Sequence, residues 1–305
     1  GDHQGGRLMP EEKLTSLKEA IGKVPDGATV AIQNMATQSA PMAAVRELIR
    51  QGRTGLEVVA LVGGIPIDLM AAAGSMDRFT GAAVSMEQFG LCQAYRSAVE
   101  SGQIVVQELS ETALNARLGA GARNLPFLPT RGLIGTDLIA INPDLVMISD
   151  PFGGLDVVAC RALIPDVALI HCHRADRFGN LQMEPTAVWP DIGIMPKAAN
   201  KVIATVEEIV DTEVLRNSPE RTFLPGFMVD AVVEVPFGAH PTSFNPRYGY
   251  DTAFHHDWIA VARDPEGFEL WMQRYVYEPD TQEEYLDQVG GADRLEELKR
   301  WEITS

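Results

Sequence analysis

Three carboxylates, Glu87, Glu108 and Glu111, lie at or just beyond the ends of short apolar runs that read as strands. A glutamate held at a strand end can act as base, nucleophile or electrostatic anchor, and partial burial would raise its pKa toward the working range. A solvated loop acid is the plain alternative, and Glu111 beside Ser110 also fits a helix N-terminal charge. His171, Cys172 and His173 suggest a second chemistry, because all three are metal-ligating types. In an extended segment, however, the two histidines point one way and the cysteine the other, and no second Cys or His pair stands at zinc-like spacing. Hydrogen-bonded structural histidines and no metal are expected there. His255-His256 lies in a polar, aromatic stretch and reads as surface or interface. Gly63-Gly64 could admit a ligand close to the backbone or aim two amides at an oxyanion. No GxSxG elbow, Walker loop or GxGxxG after a strand is present.

The elements that must position these residues centre on Asp166–Pro185. Val167 to Ile170 is a continuous apolar run of the kind buried on both faces of a parallel sheet, and His171 to Asn180 reads as the polar loop it delivers. In open α/β sheets ligands bind beyond the carboxyl ends of the strands. Similar runs occur at Ala28–Ile32, Leu56–Val62, Ala82–Ser85 and Ile104–Val106, and each ends in polar or glycine residues. The segments Asp144–Ser149, Ala159–Leu163, Lys201–Thr205 and Val229–Val235 complete the expected sheet. Between them, Leu14–Ile21, a stretch starting near Ser39 and Pro41 with Met42, Val45, Leu48 and Ile49 inward, and Thr112–Leu118 carry helical spacing. Asn124–Leu138, rich in Pro and Gly, reads as an ordered loop, and the chain from Gly267 onward reads as helical and charged. The rhythm predicts an α/β fold with an open, mostly parallel sheet covered by helices, since parallel neighbours need crossover connections.

Composition bounds the function. The 305 residues, 46% hydrophobic and 22% charged, suit a soluble globular protein. Forty-two acids against 25 bases give a net charge of −17, which argues against nucleic acid or an anionic membrane as partner. Cys92, Cys160 and Cys172, odd in number and spread out, read as reduced thiols. With no apolar run near the length of a bilayer span and no signal-peptide pattern, a cytoplasmic location is expected. Residues 1–8, ahead of Met9, read as a cloning remnant, and 9–305 as a single domain.

The stretch DVALIHCHRADRFGN resembles a signature of the family I CoA-transferases, and MVDAVVEVPFGAHPTS is similar to a second of their motifs. The carboxyl-terminal WMQRYVYEPDTQEEYLDQVGGADRLEELK resembles the α (A) subunits of the glutaconate type. This resemblance implies an open α/β sheet and an enzyme of A (α) and B (β) subunits, commonly an α2β2 heterotetramer. It would move CoA, its substrate thioester, between an acyl-CoA and a carboxylic acid. The nucleophilic glutamate of that mechanism normally lies in the B (β) subunit. The A chain would then line the acyl pocket with Asn34, Gln38, Gly63, Gly64, Ser85, Met86 and Glu87. The acids at Glu108 and Glu111 also resemble the A subunit of actinobacterial steroid-ring-opening CoA hydrolases, in which an A-chain glutamate takes the essential role. Glu111 and Glu108 are therefore the catalytic candidates if the chain is a hydrolase, and substrate-orienting acids if it is a transferase. A non-enzymatic sugar-phosphate sensor on a related sheet would need a DNA-binding appendage that the sequence does not show. A site split between two chains should leave an apolar patch on the isolated chain and make it poorly soluble or self-associating.

Overall fold

The computed structural model describes residues 11–184, 193–262 and 264–300. Residues 1–8, the remnant of the sequence reading, lie outside these, as does Pro185. The strands are β1 (Thr29–Ile32), β2 (Leu56–Gly63), β3 (Met76–Val84), β4 (Val105–Glu108), β5 (Phe127–Thr130) and β6 (Leu145–Ile148). They continue with β7 (Val157–Arg161), β8 (Val167–Ala175), β9 (Leu181–Gln182), β10 (Lys201–Ile209), β11 (Thr222–Leu224) and β12 (Ala231–Glu234). Strands β12, β10, β8, β1, β2, β3 and β4 lie side by side and parallel, in that order. The expected open, mostly parallel α/β sheet is therefore present.

Side chains alternate across the central strands, as the two-residue period of a strand requires. Val30, Ile32, Val58, Ala60, Val167 and Leu169 pack on one side, with Val45 and Leu48 of the helix Met42–Arg50. Ala31, Val59, Leu61, Ala168 and Ile170 pack on the other, with Leu114 and Leu118 of the helix Glu111–Ala122. Covering both faces explains why these strands read as unbroken apolar runs. Among the described residues no helix is long and apolar enough to cross a membrane.

Several local expectations need correction. Strands β6 and β7 do not join the main sheet. They pair antiparallel with each other, and β7 with β5, in a separate three-stranded sheet. Phe127–Thr130, read as part of an ordered loop, is a strand of that sheet. His171 to Ala175 is not loop but the continuation of β8, held by β10 along its whole length, with β9 turning back against its end. His255 is fully buried rather than at the surface. Two crossover helices, Ile65–Ala72 and Gln93–Glu100, had no expectation attached to them.

Candidate functional site

The sheet order reverses between β1 and β8: from β1 the chain steps outward to β2, β3 and β4, whereas from β8 it steps the other way to β10 and β12. At such a switch point the two connections part and leave a crevice beyond the strand ends. Gln33 and Asn34, the first residues past β1, occupy it and are buried. The Gln33 side-chain oxygen accepts from the His171 backbone N–H at 3.0 Å, which fixes the amide and leaves Nε2 with no protein partner among the described residues. Asn34 Nδ2 donates to the carbonyls of Ala36 and Gln38, and Asn34 Oδ1 is likewise unpartnered. A donor and an acceptor, both buried and both unmet by protein, stand at the switch point, and such groups call for a ligand or water.

The loop after β1 is tied down on both sides. Ser39 and Ser243 exchange backbone bonds with the opposite loop, the Ala36 N–H donates to the Val62 carbonyl, and the Ala40 N–H donates to Thr242 Oγ1. These ties hold Ala36 and Ser39 in the left-handed region at φ 51° and 58°, a conformation that costs a non-glycine residue about 1–2 kcal/mol. Gly64 makes the approach possible: a Cβ there would stand 2.1 Å from the Ala36 carbonyl oxygen. Gly64→Ala must therefore push the loop after β1 away from β2, and overpacking of this kind costs about 1–3 kcal/mol. A thermal melt checks it, and an unshifted Tm would show the contact to be looser than described.

The next strand end contributes Ser85, Met86 and Glu87. The Glu87 N–H donates to Ser85 Oγ at 3.0 Å, and Thr37 Oγ1 donates to Glu87 Oε2 at 2.8 Å, linking the ends of β1 and β3. Glu87 is exposed and also left-handed, at φ 52°. Met86 differs from its neighbours: its side chain is fully buried in the core. Thus Asn34, Gln38, Gly63, Gly64, Ser85 and Glu87 come together, while Met86 packs beneath them.

Glu108 and Glu111 stand one strand further out. β4 pairs Glu108 with Gly81, three residues before β3 ends, so it stops about 10 Å short of its neighbour's tip. Both glutamates are exposed, and neither carboxylate has a hydrogen bond or ion pair among the described residues. Glu111 opens the helix Glu111–Ala122, whose N-cap Ser110 accepts from the Ala113 N–H. Arg117 of that helix is nearly fully buried; it donates to Gln107 of β4 and to Asp144 just before β6, and its Nε donates to the Arg161 carbonyl of β7. This cation fixes the helix, and so Glu111, against β4 and the small sheet.

On the other side of the crevice lies a cluster that the sequence reading did not assemble. His171 bonds Thr205 Oγ1 through Nδ1 and Glu207 Oε1 through Nε2, each at 2.8 Å. Glu207 also accepts from Tyr248 OH at 2.7 Å and from the Phe237 N–H at 3.0 Å. Burial pushes the Glu207 pKa up, but the His171, Phe237 and Tyr248 donors outweigh it and hold the carboxyl below its ordinary range. Burial, reinforced by the Glu207 charge, drives the Tyr248 phenol well above its usual value. His173 accepts from the Glu184 N–H at Nδ1 and donates from Nε2 to the Asn245 carbonyl, the neutral tautomer. Both histidines are thus hydrogen-bonded within the fold. A cavity of about 930 Å³ lies away from the strand-end crevice, between the segment Leu14–Lys18 beside β12, the helix Met42–Arg50 and Tyr275–Tyr285. Its guanidinium groups are already engaged: Arg46 by the His240 carbonyl and Gln282, Arg50 by the Pro279 carbonyl and Glu47.

Comparison with known proteins agrees with this architecture. The family described as Coenzyme A transferase matches residues 14–235. A protein of Archaeoglobus fulgidus is 38% identical over 95% of this chain, which spans only 65% of that protein's length. The A chain of the 3-oxoadipate CoA-transferase of Pseudomonas knackmussii is 35% identical, over 87% of this chain and 93% of its own. The cholesterol ring-cleaving hydrolase IpdA subunit of Rhodococcus jostii is 31% identical, over 88% and 93% respectively. Among solved structures, glutaconate coenzyme A-transferase from Acidaminococcus fermentans superposes with a TM-score of 0.88 at 29% identity, over 94% of this chain and 95% of that one. The decarboxylase AibA/AibB superposes with a TM-score of 0.77 at 34% identity, over 87% of this chain and all of that one.

Proposed function

This chain belongs to the coenzyme A transferase family, and from that premise we propose that it is the α chain of a two-subunit enzyme moving CoA from an acyl-CoA to a carboxylic acid in the cytoplasm. The observation that carries this reading is the near full-length superposition on glutaconate coenzyme A-transferase, together with the strand-end crevice whose buried Gln33 Nε2 and Asn34 Oδ1 await a partner. In this reading the nucleophile is a glutamate of a β subunit. Its carboxylate attacks the thioester carbonyl and expels CoA thiolate, leaving an acyl-glutamyl anhydride. The thiolate then attacks the glutamyl carbonyl, releasing the first acid and forming a glutamyl-CoA thioester. A second carboxylate repeats the two steps in reverse. The part of this chain is to bind and orient. Its loops after β1, β2 and β3 form one wall of the acyl pocket, with the Gln33 amide as donor and the Ser85–Glu87 turn as rim.

A second reading, a CoA-thioester hydrolase, rests on the exposed, unpaired carboxylates of Glu108 and Glu111 and on the likeness to the ring-cleaving hydrolase chain. A glutamate free of ion pairs is available as a general base toward water. The two readings separate in ¹⁸O-water with the chain co-expressed beside its β subunit. Transfer predicts a CoA adduct on the partner, acyl exchange onto an added carboxylate, and only a modest loss in Glu111→Ala. Hydrolysis predicts solvent oxygen in the product acid, no adduct, and loss of about 10²–10⁴-fold in Glu111→Ala or Glu108→Ala, the usual contribution of a general base.

A further inference from the structure

The helix Met42–Arg50 packs Met42, Val45, Leu48 and Ile49 into the core against the sheet. Helical spacing gathers Ala43, Arg46, Glu47 and Arg50 on another face, and all four line the cavity of about 930 Å³ between this helix and residues 275–285. Arg46 is only 4% exposed and Glu47 5%, and charges at that depth are rare unless paired. Glu47 is paired: Arg50 Nη2 lies 3.3 Å from it, and Gln51 Nε2 donates to it at 2.6 Å. Arg46 is not. Its Nη1 donates to the His240 carbonyl at 3.1 Å, its Nη2 donates to Gln282 Oε1 at 3.0 Å, and its Cζ lies 3.4 Å from the centre of the Tyr285 ring. All three partners are neutral, and Arg46 has no ion pair among the described residues. Arg50 Nε is buried in the same wall with no hydrogen-bond partner among them.

The helix wall of the cavity thus sets two guanidinium charges against one carboxylate. Lys18, Glu234 and Asp280 also line the cavity, but they are exposed, so water and salt screen them. One negative charge balances the excess, whereas water in the cavity leaves it and a doubly charged phosphate ester reverses it. The ring stacked on Arg46 covers a face of the guanidinium and leaves the donors in its plane, the geometry that takes a carboxylate. Leu17, Val235 and Tyr275 add apolar wall, and the volume lies in the range of small-molecule sites. We propose that this cavity binds a small organic monocarboxylate, with the carboxylate held by Arg46 and Arg50 and the apolar body against Leu17, Val235 and Tyr275. Such a site is independent of the reaction at the strand-end crevice.

The test is calorimetric titration of the full chain, alone and in the co-expressed complex, with hexanoate and benzoate. Each should bind once per chain, at least about tenfold tighter than hexanamide or inorganic phosphate, since hydrogen bonds between charged groups are the strong ones. Arg50→Gln alters a half-buried side chain and should weaken hexanoate at least about tenfold in a chain that still melts cooperatively. Photolabelling of the wild-type protein with a diazirine-bearing hexanoate gives a reading that needs no variant. Adducts should fall in residues 14–18 and 275–285, and excess hexanoate should suppress them. Adducts confined to residues 33–38 and 85–89 put the acid in the strand-end crevice, which overturns the cavity site and leaves the transferase reading standing. Hexanamide binding as tightly as hexanoate makes the cavity a site for apolar molecules and overturns the proposal. Tighter binding of phosphate, or displacement of hexanoate by equimolar chloride, assigns the cavity to inorganic anions and overturns it too. So does an absence of both heat and adducts at millimolar hexanoate.

Discussion

Glu207→Ala is expected to cost about 3–5 kcal/mol of stability, the usual result of removing one partner from a buried charge-assisted network. The carboxylate gathers donors from three separate segments: His171 of β8, the Phe237 N–H beyond β12, and the Tyr248 hydroxyl. Deleting it leaves all three donors buried and unmet, and each unsatisfied donor adds about 1–3 kcal/mol. Relaxation of the loops around the new cavity keeps the total below the sum. Glu207→Gln keeps one accepting oxygen and the volume, so it should lose less than half as much. Denaturant melts of the co-expressed complex check both. If Ala and Gln variants fall equally, charge and not acceptor number sets the cost; if neither falls, the cluster is not structural.

That cluster shows what sequence could not supply. The VEEIV segment at Val206–Val210 looks like solvated acids after a strand, and nothing local pairs Glu207 with a histidine. The partnership depends on the β8–β10 register, which sets Thr205 opposite His171 and so puts Glu207 within reach of its ring. Register between strands about 35 positions apart is nonlocal information. By contrast, the strand-end positions of Gly63, Ser85, Glu87 and Glu108 were legible, because apolar runs with polar ends encode a parallel sheet directly. The small sheet was misplaced for a related reason: β5, β6 and β7 are short and mostly apolar, so their pattern states neither sheet nor direction.

What chemistry the crevice runs is a separate matter from its shape. Proteins named as a CoA-transferase, a ring-cleaving hydrolase and a decarboxylase share this scaffold at 31–35% identity. A fold hosting three reaction types leaves the reaction to individual groups at the site. Under the function proposed above, those groups in this chain are carboxylates and amides at the rim, a set that can bind and orient on its own. In that proposal the electrophile-handling step depends on whether a neighbour brings a nucleophile or Glu111 activates water.

Acid should destabilise the protein through its buried histidines. Burial pushes His173 and His255 from the ordinary 6.5 down to about 4. Between those values the unfolded chain binds protons that the fold refuses, so stability is lost as pH falls, by up to about 3 kcal/mol for each histidine. Asp68 works the other way. Burial raises its pKa to about 6 against the Tyr95 N–H and Trp258 Nε1–H donors. From pH 6 down to about 4 the folded carboxyl takes up a proton before the unfolded one does, which returns about 3 kcal/mol. For these three groups together the net expectation is a loss of about 3 kcal/mol between pH 6.5 and 4. Asp68→Asn removes the compensating gain, so its Tm should fall more steeply over the same interval. Thermal melts from pH 7 to 4 decide it: parallel curves for the two proteins would mean that Asp68 is ionised throughout, and a flat wild-type curve would mean that the buried histidines accept protons in place.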